Sequence, residues 1–145
     1  MKENDVLRTI DANLNRLREG LRVCEDVTRF ILEDKDSTAR LKDIRHDVFK
    51  AVSDSTKLAY SSLLSSRDSI NDVGKESISL ELKRRDPLDI LNANFQRAKE
   101  SVRVLEEFSK IVDADLAQRF KGIRFYIYNI EKVLIEKLQS TGNIR

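Results

Sequence analysis

Apolar residues recur every three to four positions through most of the chain, which is the spacing of α-helices that bury one side. The pattern predicts four long helices, at about residues 5–32, 38–64 and 87–112, and from 114 to just before Gly142. Asp86 precedes Pro87, and this pair is typical of an N-cap followed by the first helical residue. Asp113 is the expected N-cap of the fourth helix.

The two halves of the chain repeat one sequence pattern. Residues 12–27 match residues 93–108 at seven of sixteen positions, and the identical residues include Asn, Arg and Glu. Because chance similarity between helices would match mainly the apolar stripe, the identical polar residues indicate a duplication. Residues 40–45 also resemble residues 119–124, at an offset of 79 instead of 81. We expect the loop inside the hairpin to absorb this two-residue difference.

The repeats define the expected architecture. They cover about residues 8–64 and 87–140, and a linker at 65–86 joins them. The linker is rich in Ser, Asp and Asn and has no clear period, which is typical of a functional or disordered connection. We therefore predict an all-α fold, a four-helix bundle built from a duplicated helical hairpin with one long crossover, in a single domain of 145 residues.

Composition and charge exclude several classes of protein. The 27 basic and 25 acidic residues are interleaved, so no basic stripe for nucleic acid is expected. Only Lys83, Arg84 and Arg85 form a basic run. Single Cys and His residues, Cys24 and His46, exclude an internal disulfide and a zinc site made of Cys and His alone. No apolar stretch is long enough for a membrane span or a signal peptide, so we expect a cytoplasmic protein.

Several polar residues fall within the apolar arcs of the predicted helices. Arg is rarely fully buried without a partner, so either carboxylates pair with these arginines or the arginines line a cleft that receives an anion. Glu19 and Glu100 are candidate partners, one turn from an arginine in each repeat. The small residues among them make room for a ligand or for a close helix crossing. The whole set is Asn13, Arg16, Gly20, Arg45, Asn94, Arg97, Ser101 and Arg124.

Familiar nucleotide-binding and metal motifs are absent from the sequence. Gly74-Lys75 lacks the leading glycine and the spacing of a phosphate-binding loop, and no Glu-x-x-His pair suggests a di-iron site. The residues alone therefore predict a helical bundle with an anion-binding interior cleft.

Three separate motifs resemble a known family. Residues 11–23, residues 94–107, and the linker residues Arg67-Asp68 with Asp72-Val73-Gly74 are similar to a helical domain found at the N-terminus of some bacterial thiamine-phosphate synthases. The domain also occurs alone, and the family is regarded as an alternative hydroxymethylpyrimidine-phosphate kinase. The resemblance covers about residues 11–128. It implies transfer of phosphate from ATP to 4-amino-5-hydroxymethyl-2-methylpyrimidine phosphate, with Mg²⁺.

The resemblance also suggests roles for individual residues. Asp68 and Asp72 are candidates for Mg²⁺ binding or for accepting the hydroxymethyl proton, because hard oxygen ligands suit Mg²⁺. The other candidates would bind the pyrimidine or phosphate groups, as Arg and Lys do in phosphoryl transfer. These are Asn13, Arg16, Arg45, Arg67, Asn94, Arg97 and Arg124, supported by Glu19, Gly20, Glu100 and Ser101.

Two other functions remain open on the sequence. The first is a non-catalytic module that binds the pyrimidine and docks onto thiamine-phosphate synthase. The second is a purely structural bundle that forms a homodimer. The docking module would need neither ATP nor the carboxylates of Asp68 and Asp72. Because the chain has no alternation of strands and helices, we do not expect it to be the synthase barrel itself.

Overall fold

The computed structural model describes residues 2–77 and 82–140. Within these residues there are five α-helices and no β-strand, so the all-α prediction is confirmed. The helices are α1 (Glu3–Asp26), α2 (Lys35–Asp54), α3 (Tyr60–Ser66), α4 (Pro87–Val112) and α5 (Ala114–Ser140).

The four long helices pack around one hydrophobic core. The first helices of the two repeats, α1 and α4, lie side by side, and each also packs on the second helix of its own repeat. The second helices, α2 and α5, contact each other, and α3 lies against α1. Fully buried side chains such as Leu17, Phe95 and Phe120 fill the centre. Each contributes about 1.5–3 kcal/mol through removal of apolar area from water.

Gly20 lies where α1 and α4 approach each other closely. A Cβ atom added to Gly20 would lie 3.2 Å from the backbone oxygen of Asn94 and 3.7 Å from the Cβ of Ala98. The missing side chain therefore allows the two helix backbones to approach. Of the two roles open for Gly20 on the sequence, the structure supports the close helix crossing.

Aspartates cap three of the helices. The Asp86 side chain accepts a hydrogen bond from the Asp89 amide at 2.8 Å, with Pro87 in the first turn. The Asp113 carboxylate accepts hydrogen bonds from the Asp115 and Leu116 amides. Both predicted N-caps are confirmed, and Asp34 caps α2 in the same way.

The predicted second helix is two helices in the structure. Ser55 ends α2 with an extended backbone, and its hydroxyl donates a 2.7 Å hydrogen bond to Asp113 at the start of α5. Leu58 is buried in the break between α2 and α3. The continuous helix expected at 38–64 is therefore wrong, because contacts with other helices redirect the chain and bring α3 onto α1.

The two-residue difference between the repeats lies in the connection inside the hairpin, as predicted. Five residues separate Thr28 from the N-cap Asp34, whereas three separate the equivalent Ser109 from Asp113. The π-helical turn Val27–Ile31, which follows α1 directly, ends at the position equivalent to Val112, the last residue of α4. Leu32 and Glu33, whose φ is 51°, then precede Asp34, whereas Asp113 follows Val112 directly.

Candidate functional site

A cleft lies between α1, α4 and the segment that follows α3. We call it the central cleft, and its volume is about 770 Å³. It is lined from α1, from α4, from residues 72–77 and from Arg84. The lining residues are Asn13, Arg16, Asp72, Gly74, Lys75, Ser77, Arg84, Arg97, Glu100, Ser101 and Val104.

Basic side chains outnumber acidic ones around the central cleft. Among the described residues, four basic side chains line it, against the two carboxylates of Asp72 and Glu100. Arg16 and Arg97 occupy equivalent positions of the two repeats, so the duplication brings two guanidinium groups to the same cavity. A cavity with this excess of positive charge attracts an anion.

The two equivalent arginines, Arg16 and Arg97, form no ion pairs with the described carboxylates. Arg16 donates a long hydrogen bond of 3.4 Å to the side-chain oxygen of Asn13. Across residues 2–77 and 82–140, neither Arg16 nor Arg97 lies within 4.0 Å of a carboxylate oxygen, and both are exposed. The expected partners Glu19 and Glu100 are not used in this way. Of the two alternatives left open by the sequence, pairing with internal carboxylates does not hold for these two arginines among the described residues.

The two equivalent asparagines share one structural role but not one location. The Asn13 amide donates to the Thr9 carbonyl at 2.9 Å, and the Asn94 amide donates to the Ile90 carbonyl at 2.8 Å. Each thus bonds to its own helix four residues earlier. Only Asn13 lines the central cleft. Its oxygen also accepts from Arg16, so Asn13 helps to orient that guanidinium group.

Of the four residues predicted to support the site, two line the central cleft and two do not. Ser101 and Glu100 line the central cleft, and the Ser101 hydroxyl donates to the backbone oxygen of Arg97. Glu19 lines a smaller neighbouring cavity, and Gly20 lies at the helix crossing described above. The Ser101 hydroxyl is therefore bonded to its own helix, four residues earlier.

Arg45 and Arg124 lie in buried ion pairs outside the central cleft. Arg45 donates to Glu25 at 2.9 Å, and Arg124 donates to Glu106 at 2.8 Å. Both glutamate side chains are about 5% exposed, and both pairs join the two helices of one repeat. The sequence grouped these arginines with Arg16 and Arg97 as phosphate ligands. Their location corrects this grouping, because a carboxylate already neutralises each guanidinium.

Arg67 likewise has a carboxylate partner. Its guanidinium donates two hydrogen bonds to Asp11, at 2.8 and 2.9 Å, which raise the pKa of Arg67. The pair borders a second cavity of about 270 Å³, which we call the side cavity. Arg16 and Asp72 line both cavities, so the side cavity and the central cleft adjoin.

Asp68 and Asp72 shape the segment that carries them. Asp68 accepts hydrogen bonds from the backbone amide and the side chain of Asn71, and these bonds lower the pKa of Asp68. Asp72 accepts from the Gly74 amide at 2.8 Å. No group of three or more potential metal ligands occurs in the part of the chain that the structure describes. Mg²⁺ usually takes only one or two protein carboxylates, so its binding by Asp68 and Asp72 stays a prediction.

Two basic residues of the cleft were missed by the sequence analysis as site candidates. Lys75 donates to the Ile70 carbonyl, and Arg84 donates to the Lys83 carbonyl, so both keep donors for a ligand. Both carried a signal in the sequence. Lys75 follows Gly74 in the linker, and Arg84 belongs to the one basic run of the chain.

Together these features define a class of protein: an all-α chain of two repeats, with a cationic cleft where their first helices meet. The chain belongs to the ThiD2 family, whose model matches residues 8–133. This confirms the predicted resemblance to the helical domain at the N-terminus of bifunctional thiamine-phosphate synthases. No solved structure matches the chain. None of the helices, as far as the structure describes them, is long and apolar enough to cross a membrane.

The chain is similar to several proteins named thiamine-phosphate synthase. It is 42% identical over 127 residues to that of Synechococcus sp. (strain CC9605), covering 87% of this chain and 34% of the relative. It is 39% identical to a protein of Prochlorococcus marinus, over 92% of this chain and 37% of the relative. It is also 39% identical to the protein of Rhodopirellula baltica, over 85% of this chain and 32% of the relative. The chain thus spans about a third of the length of the curated relatives it matches.

These names correct the main functional prediction. We expected an ATP-dependent hydroxymethylpyrimidine-phosphate kinase, but the relatives are named as thiamine-phosphate synthases. The alternative, a module for that synthase, fits the names better. The catalytic role assigned to Asp68 and Asp72 belonged to the kinase and is given up with it. Thiamine biosynthesis, as the process in which the relatives act, is retained.

Proposed function

We propose that this chain is a substrate-binding and docking module of thiamine biosynthesis. In this proposal the central cleft binds a phosphorylated pyrimidine, 4-amino-5-hydroxymethyl-2-methylpyrimidine phosphate, and the module presents it to a thiamine-phosphate synthase. The observation that carries the proposal is the convergence of Arg16 and Arg97 on one cleft without carboxylate partners among the described residues.

The chemistry of the cleft suits a small phosphate ester. Arg guanidinium groups bind phosphate with two parallel hydrogen bonds, and Lys75 adds a further positive charge. The Asn13 side chain and Glu100 add polar groups of the kind that orient a ring nitrogen or an amino group. A volume of about 770 Å³ lies within the range of small-molecule sites, roughly 300–1,000 Å³.

The names of the relatives support the partner in this proposal. The chain matches about a third of each relative and leaves the larger part of each unmatched. A module that binds the pyrimidine beside the synthase would raise the local concentration of substrate at the second site. Neither ATP nor Mg²⁺ is needed for this role.

Calorimetric titration of the purified chain with the pyrimidine phosphate tests the proposal. We expect binding without ATP or Mg²⁺, and a loss of about tenfold or more in affinity for Arg16→Ala and for Arg97→Ala, since each removes a charge-assisted contact. Arg119→Ala is the matched control, because Arg119 pairs with Asp54 and does not line the cleft. Its affinity should equal that of the unaltered chain.

A second titration, with inorganic phosphate and with the pyrimidine lacking its phosphate, separates charge attraction from recognition of the whole ligand. Weaker binding of each part than of the complete ester supports a built site. Absence of binding by the unaltered chain, or equal binding by Arg16→Ala and Arg97→Ala, would overturn the proposal.

A further inference from the structure

The segment at residues 67–77 is held in place by polar contacts and not by the hydrophobic core. Every residue from 67 to 77 is exposed, and Ile70 and Val73 present 76% and 103% of their surface to solvent. The same segment supplies Asp72, Gly74, Lys75 and Ser77 to the wall of the central cleft. Without apolar anchors, its position must come from the few polar contacts that it makes with the helices.

We propose that Asp11 is a positioning residue that, through its ion pair with Arg67, holds this segment against α1 and so places Lys75 and Asp72 at the central cleft. The inference rests on the proposed function in one respect only, the effect on ligand affinity. The anchoring itself is a property of the free chain.

The geometry of the pair supports a specific anchor. Arg67 Nε lies 2.8 Å from Asp11 Oδ2, and Nη2 lies 2.9 Å from Oδ1, so both carboxylate oxygens are used. The Asp11 side chain is 8% exposed, whereas that of Arg67 is 43% exposed. Bidentate pairs fix orientation as well as distance.

A second contact reinforces the first at the next residue. Arg8, one turn before Asp11 on α1, donates from Nη2 to the backbone oxygen of Asp68 at 3.0 Å. The start of the segment is therefore held by two arginine contacts on one face of α1. An isolated exposed ion pair would contribute little, but adjoining contacts that share one face act together.

The rest of the segment folds on itself through local hydrogen bonds. Asp68 accepts from Asn71, Asp72 accepts from Gly74, and Lys75 Nζ donates to the Ile70 carbonyl at 2.8 Å. Because these bonds join residues within the segment, fixing residues 67 and 68 also fixes Lys75 relative to α1.

The second repeat has no such anchor. The equivalent of Asp11 is Asn92, which is exposed. The substitution Asp11→Asn therefore introduces the same side chain that the second repeat carries at the equivalent position of α4, Asn92. The change removes the charge and keeps the shape, and Arg67 can turn to solvent, so the fold should survive.

Amide hydrogen exchange of the unliganded chain is the first test. We expect Asp11→Asn to speed exchange at the bonded amides of Asn71, Gly74 and Lys75 by roughly tenfold or more, as local opening becomes easier. Core amides of α4 should keep their protection. Asp26→Asn is the control, since Asp26 lies on the same helix and its one ion pair within the described residues is with Arg22, at 4.0 Å. Unchanged exchange in Asp11→Asn would overturn the proposal.

A double-mutant cycle then connects the anchor to the cleft. Arg67→Gln should weaken binding of the pyrimidine phosphate by roughly the same factor as Asp11→Asn, and the double variant should add little, since both remove one contact. Additive losses, or faster exchange with unchanged affinity, would refute the positioning role. If the unaltered chain fails to bind, the proposed function fails, and the exchange result still decides whether Asp11 anchors the segment.

Discussion

Glu106 on α4 accepts a 2.8 Å hydrogen bond from Arg124 on α5, and the same pair occurs in the first repeat as Glu25 and Arg45 at 2.9 Å. A neighbouring arginine, Arg103 in the second repeat, approaches the same carboxylate at 3.3 Å. The duplication thus preserved a buried ion pair between the two helices of each hairpin. These pairs fix how the helices of one repeat sit against each other.

Breaking one of these pairs should destabilise the protein. Glu106→Gln leaves Arg124 without its counter-charge in a position that is only 14% exposed, so the free energy of unfolding should fall by about 2–4 kcal/mol. Urea unfolding followed by circular dichroism measures the change. Glu107→Gln is the control, because its pairs are half-exposed, and it should leave the urea midpoint nearly unchanged. Equal effects of the two substitutions would show that the buried Glu106 pair contributes no more to the free energy of unfolding than the half-exposed Glu107 pairs.

The same carboxylate should make stability depend on pH in the acid range. Burial opposes ionisation of Glu106, yet the hydrogen bond and charge of Arg124, with Arg103, hold its pKa below the ordinary value of 4.5. A carboxyl group whose pKa is lower in the folded state than in the unfolded state stabilises the protein at pH values above its unfolded-state pKa. This stabilisation is lost as the pH falls through the folded-state pKa. The difference in urea midpoint between the unaltered chain and Glu106→Gln should therefore be full at neutral pH and shrink in acid. A difference that stays constant down to pH ~3 would contradict this linkage.

Two helical glycines should respond oppositely to alanine. Gly122 has nothing within 4 Å of an added Cβ, so Gly122→Ala should raise the free energy of unfolding by about 0.5–1 kcal/mol through helix propensity. The Cβ of Gly20→Ala would lie 3.2 Å from the Asn94 backbone oxygen, which can move only with α4. That crowding should outweigh the propensity gain and lower stability by about 1 kcal/mol. Thermal unfolding of both variants checks this, and a stabilising Gly20→Ala would show that the crossing has room.

Thr28 and Ser109 are equivalent positions with different hydrogen bonding. Thr28 donates to the Glu25 carbonyl at 2.8 Å and shares a 2.9 Å hydrogen bond with Thr38. The Ser109 hydroxyl is buried without a partner among the described residues, and the residue equivalent to Thr38 is Ala117. Ser109→Ala should thus raise the free energy of unfolding by about 1 kcal/mol, whereas Thr28→Ala should lower it by about 1–3 kcal/mol. Chemical unfolding of the two variants tests this, and a loss of stability in Ser109→Ala would reveal a partner for its hydroxyl.

Much of the fold was predictable from local pattern. Helix periodicity, the caps at Asp86 and Asp113 and the duplication all act over a few residues, so the sequence displays them directly. The break after Asp54 was not predictable in this way, because Ser55 ends α2 through a hydrogen bond to Asp113, 58 residues away. The π-helical turn at Val27–Ile31 was not predicted either, because its apolar spacing does not distinguish it from a continuation of α1.

The candidate site was likewise predictable only in its local features. By itself the sequence placed Asn13, Arg16 and Arg97 within the apolar arcs of their helices, and in the structure Asn13 is buried whereas Arg16 and Arg97 are exposed. Only the tertiary structure decided which arginines have carboxylate partners and which line a cleft. Periodicity identifies a buried face but not the helix that covers it, and a charged group there depends on that neighbour. The contact between α1 and α4 brings Arg16 and Arg97 to one cavity, whereas hairpin packing brings Arg124 to Glu106.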